Sequence, residues 1–257
     1  MNHYLVFLEK EWRENLRTNK LLILLCVFLF FALSSPLMMR YMAEILGLLL
    51  TGDDAVMLSL FPTTTWQDSY RGFYSDLTFT GAIVIIFMFM GLILREKKSG
   101  TADLVFCKGV CPTPFVLAKF TVASLVSLLS LLGAIITAYY TTLILFEEAG
   151  RVLHVLAGAG AYGVFLLLAV AWVLFSSTAA KSTAVSAVLG FSGILGLMTL
   201  GAIPRVGRFI PTGLMTRNAE ITGGFYYPDF AAHLFIALGL TALILFLTIH
   251  KLKKQEL

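Results

Sequence analysis

Apolar residues in this chain are gathered into long blocks rather than dispersed. Uncharged runs extend over Leu21–Met39, Leu77–Leu94, Phe120–Phe146, Val155–Ala180, Ser182–Pro204 and Phe230–Ile249. Each is close to or above the roughly 20 residues that an α-helix, rising about 1.5 Å per residue, needs to cross a bilayer. Their Leu, Ile, Phe and Ala content suits helices better than the alternating strands of about 10 residues that build a membrane barrel. The expected fold class is an all-α polytopic membrane protein, one transmembrane domain over 1–257, with six transmembrane helices at about 20–39, 77–94, 116–146, 155–178, 183–203 and 230–249.

Ahead of the first run the pattern changes. Leu5, Leu8, Trp12 and Leu16 recur at helical spacing, with Lys10, Glu14 and Arg17 opposite and Arg13 among the charged positions between. This predicts an amphipathic helix over 3–17, lying on the inner membrane surface with Trp12 at interface depth and turning into the first span near Thr18 and Asn19. Glu9, Glu11 and Glu14 stand among its basic residues, unlike a short cationic secretory leader. The first run is therefore expected to be retained as a span, although Ala32, Leu33 and Ser34 would suit cleavage.

Composition supports the bilayer reading. Hydrophobic residues make up 58% of the chain and charged residues 13%, about half the ~25% of soluble domains, and the mean hydropathy is +0.87. Disorder needs low hydrophobicity and nucleic-acid binding a dense basic face, so both are excluded. With the termini in the cytoplasm, the inner segments hold thirteen of nineteen basic residues, including every lysine. The outer segments hold Arg40, Arg71, Arg151, Arg205, Arg208 and Arg217. That bias places both termini inside, against the pull of the three arginines after Pro204.

The outer segment 40–76 is only partly polar. Ile45, Leu46 and Leu48–Leu50 cluster, Gly52, Asp53 and Asp54 interrupt, and Ala55–Phe61 resumes before Pro62. One or two short helices in or dipping into the outer leaflet are expected. Trp66, Tyr70, Phe73 and Tyr74 suit an interfacial aromatic belt. In the second outer segment, 204–229, Arg205, Arg208 and Arg217 carry the bidentate forks that suit lipid head groups or an anionic part of a cargo, the alternative being a solvated loop.

The inner segment 95–112 is the most informative. It opens with charge at Arg95–Lys98, breaks at Ser99 and Gly100, and continues Thr101, Ala102, Asp103, Leu104, Val105, Phe106. Ser99 or Thr101 is placed to cap a short helix with Asp103 in its first turn, and Leu104, Val105 and Phe106 give it an apolar side for a partner. Pro112 and Pro114 end it.

The order of parts resembles that of bacterial type-2 ATP-binding-cassette (ABC) permeases. An entry helix "LEKEWRENLRTNK" precedes the first span, "YMAEIL" follows it, the second span runs into "REKKSGTADLVFCKG", and four more spans follow. The resemblance covers nearly the whole length and is sharpest at Glu96, Gly100 and Thr101. It implies that 95–112 is the coupling segment seated in a cleft of a separate ABC ATPase subunit, with Glu96, Gly100, Thr101, Asp103, Leu104 and Phe106 as the ATPase-coupling residues. It also implies an exporter in the bacterial cell (inner, plasma) membrane, built as a homodimer or a heterodimer with a second permease, with ATP and Mg held by the partner. Pro112, Thr113 and Lys119 follow the family's pattern loosely, and Pro114 stands where Arg is expected.

Other chemistry is missing from the pattern. No run reads G-x-x-x-x-G-K-[ST], and "AAKST" at Ala179–Thr183 lacks phosphate-wrapping glycines, so this chain is expected to bind no ATP or other cofactor and to have no catalytic residues. Gly158, Gly160 and Gly163 lie inside an apolar run and read as helix packing, as do Gly190, Gly193 and Gly196. No charge falls deep inside a run, which disfavours a proton-driven carrier. His233 reads as a packed or interfacial residue and Cys26 as a packing residue. Cys107 and Cys111 are thiols that lack the further ligands of a metal site. A second functional reading is a membrane sensor or immunity protein that holds a membrane-active peptide without moving it. An enzyme acting on lipid head groups has no catalytic cluster to support it.

Overall fold

The computed structural model describes residues 3–49, 64–101, 107, 111–201, 203, 207 and 210–255, and contains no strand among them. The chain is an all-α polytopic membrane protein in which an amphipathic helix, α1 (His3–Arg17), precedes six helices long and apolar enough to span a bilayer. These spans are Lys20–Met42, Trp66–Lys98, Pro112–Phe146, Val152–Ala179, Thr183–Gly201 and Phe230–Lys254. α1 ends where Asn19 takes a left-handed φ of 52°, the turn expected at Thr18 and Asn19.

The first span lies in α2 (Lys20–Leu49), which continues through Pro36 without a break. Arg40–Leu49 is therefore an extension of the spanning helix rather than a separate short helix. The apolar stretch Ala55–Phe61 and Pro62 lie outside the described residues. Cys26 is exposed on this helix, not packed inside as expected.

The second span starts eleven residues before its uncharged run, with α3 (Trp66–Asp76), a π-helical turn Leu77–Gly81, α4 (Ala82–Phe89) and a last short helix α5 (Leu94–Lys98). The Asp68 carboxylate fixes the start by accepting from both the backbone N–H and the hydroxyl of Thr65, at 2.9 and 2.8 Å. Trp66, Tyr70, Phe73, Tyr74 and Leu77 recur at helical spacing on the face turned to the rest of the protein. Tyr70, Phe73 and Tyr74 are fully enclosed there. They form core, not the interfacial belt that aromatic composition suggested.

Residues 90–93 interrupt this span between α4 and α5, and the freed backbone groups are met by hydroxyls from other spans. Ser177 Oγ accepts from the N–H groups of Ile93 and Leu94, at 3.1 and 3.2 Å, and Ser186 Oγ donates to the Met90 carbonyl at 2.8 Å. Irregular backbone at membrane depth persists only where protein satisfies it in this way.

α6 (Pro112–Phe146) and α7 (Val152–Ala179) are the third and fourth spans, α8 (Thr183–Gly201) the fifth and α11 (Phe230–Gln255) the sixth. The short helices α9 (Gly213–Thr216) and α10 (Asn218–Thr222) pack over α7 and α3. α7 is the most enclosed span, whereas Val188 and Leu195 of α8 and Phe235 and Phe246 of α11 are exposed. Apolar side chains in such numbers on the outside are lipid-facing surface.

Small residues set close approaches at four glycines of the two expected stripes, Gly158, Gly163, Gly190 beside Ile86 and Gly193 against the Trp172 ring. A Cβ on Gly158 would lie 2.4 Å from Thr222 Oγ1, and one on Gly163 3.0 Å from a Leu128 methyl, but Gly160 and Gly196 face open space. The expected packing stripes are thus real at some of their glycines only.

Candidate functional site

The site begins with the register of α1. Phe7, Glu11 and Asn15 recur every four residues; Phe7 and Glu11 meet α6, and the buried residues of this helix are Glu11 and Asn15. Phe7 packs edge-on against Phe115 with ring centroids 5.8 Å apart, and the hydroxyls of Tyr4 and Thr121 lie 3.0 Å apart. The predicted apolar stripe falls on a neighbouring face: Leu5 and Leu16 are exposed while Leu8 and Trp12 are half-buried. α1 therefore carries one face for the protein and an apolar stripe of which Leu8 and Trp12 pack on the core while Leu5 and Leu16, at its ends, are left outward.

The second element is α6. Cys111 is extended and Pro112 occupies the first helical position, where its missing N–H would be unpaired in any case. Two turns later the helix carries Lys119 inward, 1% exposed, against Glu11, 2% exposed. Lys119 Nζ lies 2.6 Å from Glu11 Oε1 and 2.7 Å from Glu96 Oε1, with the Phe115 ring centroid at 4.8 Å. The third element, α5, supplies Glu96, whose same oxygen is 2.7 Å from Lys10 Nζ; Lys10 in turn reaches Glu11 at 3.4 Å.

Two ammonium groups and two carboxylates thus balance to zero in a site closed to water around Lys119 and Glu11 and open to it at Lys10. An isolated buried ammonium is expensive, and only close pairing with good hydrogen bonds offsets its lost hydration. Burial works against the charge on Lys10, but the hydrogen bond and charge of Glu96, with Glu11 behind it, prevail and raise its pKa above the usual lysine value. Glu14 is nearby, with one oxygen each of Glu11, Glu14 and Glu96 within 4.8 Å of one another. Of these three carboxylates, Glu11 and Glu96 are already paired with Lys119 and Lys10. On its solvent side α1 borders an open groove of about 520 Å³ that includes Glu9, Arg13 and Arg17.

α5 ends just beyond Glu96. Ser99 closes it, and Gly100 follows at φ 72°, the left-handed conformation in which glycine is unstrained. Ser99 Oγ donates to the Glu96 carbonyl at 3.1 Å and lies 2.8 Å from Thr101 Oγ1. Ser99 thus closes the preceding helix; the short helix expected after it lies mostly outside the described residues. Thr101 is exposed, and Asp103, Leu104 and Phe106 lie outside the described residues. Of the residues expected to couple to an ATPase, Glu96 faces inward into the ion cluster, whereas Thr101 faces out.

Between the fifth and sixth spans, Arg217 Nε pairs with Glu220 at 3.2 Å and its guanidinium lies 5.0 Å from the Tyr227 ring centroid. Burial pushes the Tyr227 phenol up to about 12, with Arg217 opposing the shift. Its hydroxyl is 3.2 Å from Nδ1 of the buried His233, which makes His233 a packed residue. Arg205 and Arg208 lie outside the described residues.

Sequence reading missed Glu11 and Lys119 as partners. The available signal was slight: a carboxylate at four-residue spacing between Phe7 and Asn15, and a lysine standing alone between two apolar stretches of α6.

Among known proteins, a chain of Bacillus subtilis (strain 168) described as the uncharacterized transmembrane protein YxlG is 26% identical over 190 residues, 74% of this chain and 73% of that protein. No family model matches. No solved structure matches.

Proposed function

We propose that the chain is the membrane-spanning permease subunit of an ATP-driven ABC exporter in the bacterial cell membrane, with both termini cytoplasmic. A second permease, identical or paralogous, completes the translocation pathway, and a separate ATPase subunit closes on the segment that leaves the membrane at α5. The observation that supports this most is the bridging of Lys119 by Glu11 and Glu96. A loop outside the bilayer passes force to the spans only if it is held to them, and here its root is tied to α6 by buried ions and to α7 by Ser177. ATP binding shifts the arrangement of the spans to the extent that the ATPase contacts the segment differently in each arrangement.

In this reading Glu96 holds the segment, and the contact with the ATPase falls to Gly100, Thr101 and the residues that follow. The test is purification of the full chain from its native membrane in mild detergent, followed by ATP hydrolysis in liposomes. An ATPase subunit should accompany it, and Thr101→Trp should lower hydrolysis stimulated by the permease while leaving the amount of inserted protein unchanged. Recovery of the chain with no ATPase would count decisively against the proposal.

A further inference from the structure

We infer that Lys119 is a positioning residue that makes α1 and the root of the coupling segment one rigid body, so that the entry helix moves with the segment instead of resting passively on the membrane. This rests on the coupling role proposed for that segment. Glu11 of α1 and Glu96 of α5 meet the same ammonium of α6, at 2.6 and 2.7 Å, and Lys10 closes a second bridge from α1 to Glu96 at 2.7 Å. α1 and α5 therefore share two cations. One of these belongs to the span and is 1% exposed; the other belongs to α1 itself. An ammonium at this depth has no water to take over from either carboxylate, so neither helix separates from the other without leaving charge unpaired.

Contacts along the rest of α1 have the same effect. Tyr4 with Thr121 and Phe7 with Phe115 hold the earlier turns against α6. The solvent side of α1 is left free, with Arg17 exposed beyond the last paired turn. A force applied beyond Gly100 is accordingly delivered to α1 and α6 together.

The experiment measures distances between spin labels in the full-length chain reconstituted in lipid, with Cys26, Cys107 and Cys111 replaced by Ser. Labels at Arg17→Cys and Thr101→Cys report on the two arms. With Lys119 present the distance distribution should be single and narrow. Lys119→Met should at least double its width, and Lys119→Arg, which keeps the charge and its donors, should restore it. An unchanged width in Lys119→Met would overturn the inference. Should that variant fail to accumulate, Glu11→Gln reports the same release through one bridge, and an unchanged width there is equally fatal.

A second pair of measurements uses a label at Tyr140→Cys, exposed near the far end of α6, with the complex bound to its co-purified ATPase. Addition of a non-hydrolysable ATP analogue should change the Arg17–Tyr140 and Thr101–Tyr140 distances together. A change in the second alone would leave α1 outside the moving unit and sink the inference. Absence of any ATPase partner would remove the proposed function and the lever with it, while the first pair of labels would still decide whether the two arms form one body.

Discussion

Lys119 and Glu11 are 108 positions apart in sequence and 2.6 Å apart in space, and each is almost wholly withdrawn from solvent. The pair joins a helix that precedes the first span to one that forms the third. Its burial makes it a strong constraint on how those helices sit, because the loss of either partner leaves an uncompensated charge.

Lys119→Met is therefore expected to destabilise the protein by about 3–5 kcal/mol, the usual penalty for breaking a buried ion pair from one side. The double variant Glu11→Gln, Lys119→Met should lose less than the sum of the two single losses, since each removes the other's unpaired charge. Thermal unfolding of the four proteins in one detergent checks this, and strict additivity would show that the pair is not coupled.

Ser177→Ala should loosen the interruption between α4 and α5. One hydroxyl serves two buried N–H groups, and leaving them without an acceptor costs about 1–3 kcal/mol. Faster hydrogen exchange confined to Ile93 and Leu94 and their neighbours is the expected signature. Exchange unchanged in that segment would mean the interruption is held by other contacts.

The two nearby glycines of α7 should respond differently to alanine. At Gly158 the new methyl would meet Thr222 Oγ1 at 2.4 Å and displace α10, an overpacking change of about 1–3 kcal/mol. At Gly160 it would meet nothing within 4 Å, and the higher helix propensity of alanine should leave stability equal or improved. Equal melting temperatures for the two variants would contradict the close approach at Gly158.

The raised pKa of Lys10 has a definite sign in stability. A lysine that holds its proton more tightly when folded stabilises the fold fully below the unfolded pKa, near 10.5, and loses that contribution as pH rises through the higher folded value. Lys10 is 43% exposed, so solvent screening limits the effect to below about 1 kcal/mol. The melting temperatures of the parent and Lys10→Met should differ by a constant small amount between pH 7 and 9 and converge above pH 11. A gap that widened with alkalinity would refute the assignment.

Much of the fold was legible in the chain itself. A span needs a length of uncharged apolar sequence, which is a local property, and six such runs were found as six spans. Alternation at helical spacing likewise set α1 at His3–Arg17. The limits of the second span were misplaced because Asp68, Arg71 and Asp76 interrupt its hydropathy. Asp68 and Arg71 pair with each other and Asp76 accepts from Ser35, so the helix continues past them.

Aromatic composition could not separate belt from core at Tyr70, Phe73 and Tyr74, because both settings favour the same side chains. Only the packing of α3 against α2, α6 and α10 decided it. The charge count along the chain likewise determined that this protein lives in a bilayer and that its spans are short of ionic groups. Tertiary structure alone decided that Lys119, Glu11 and Glu96 converge, since pairing between distant residues depends on how helices dock and leaves no periodicity within any one of them.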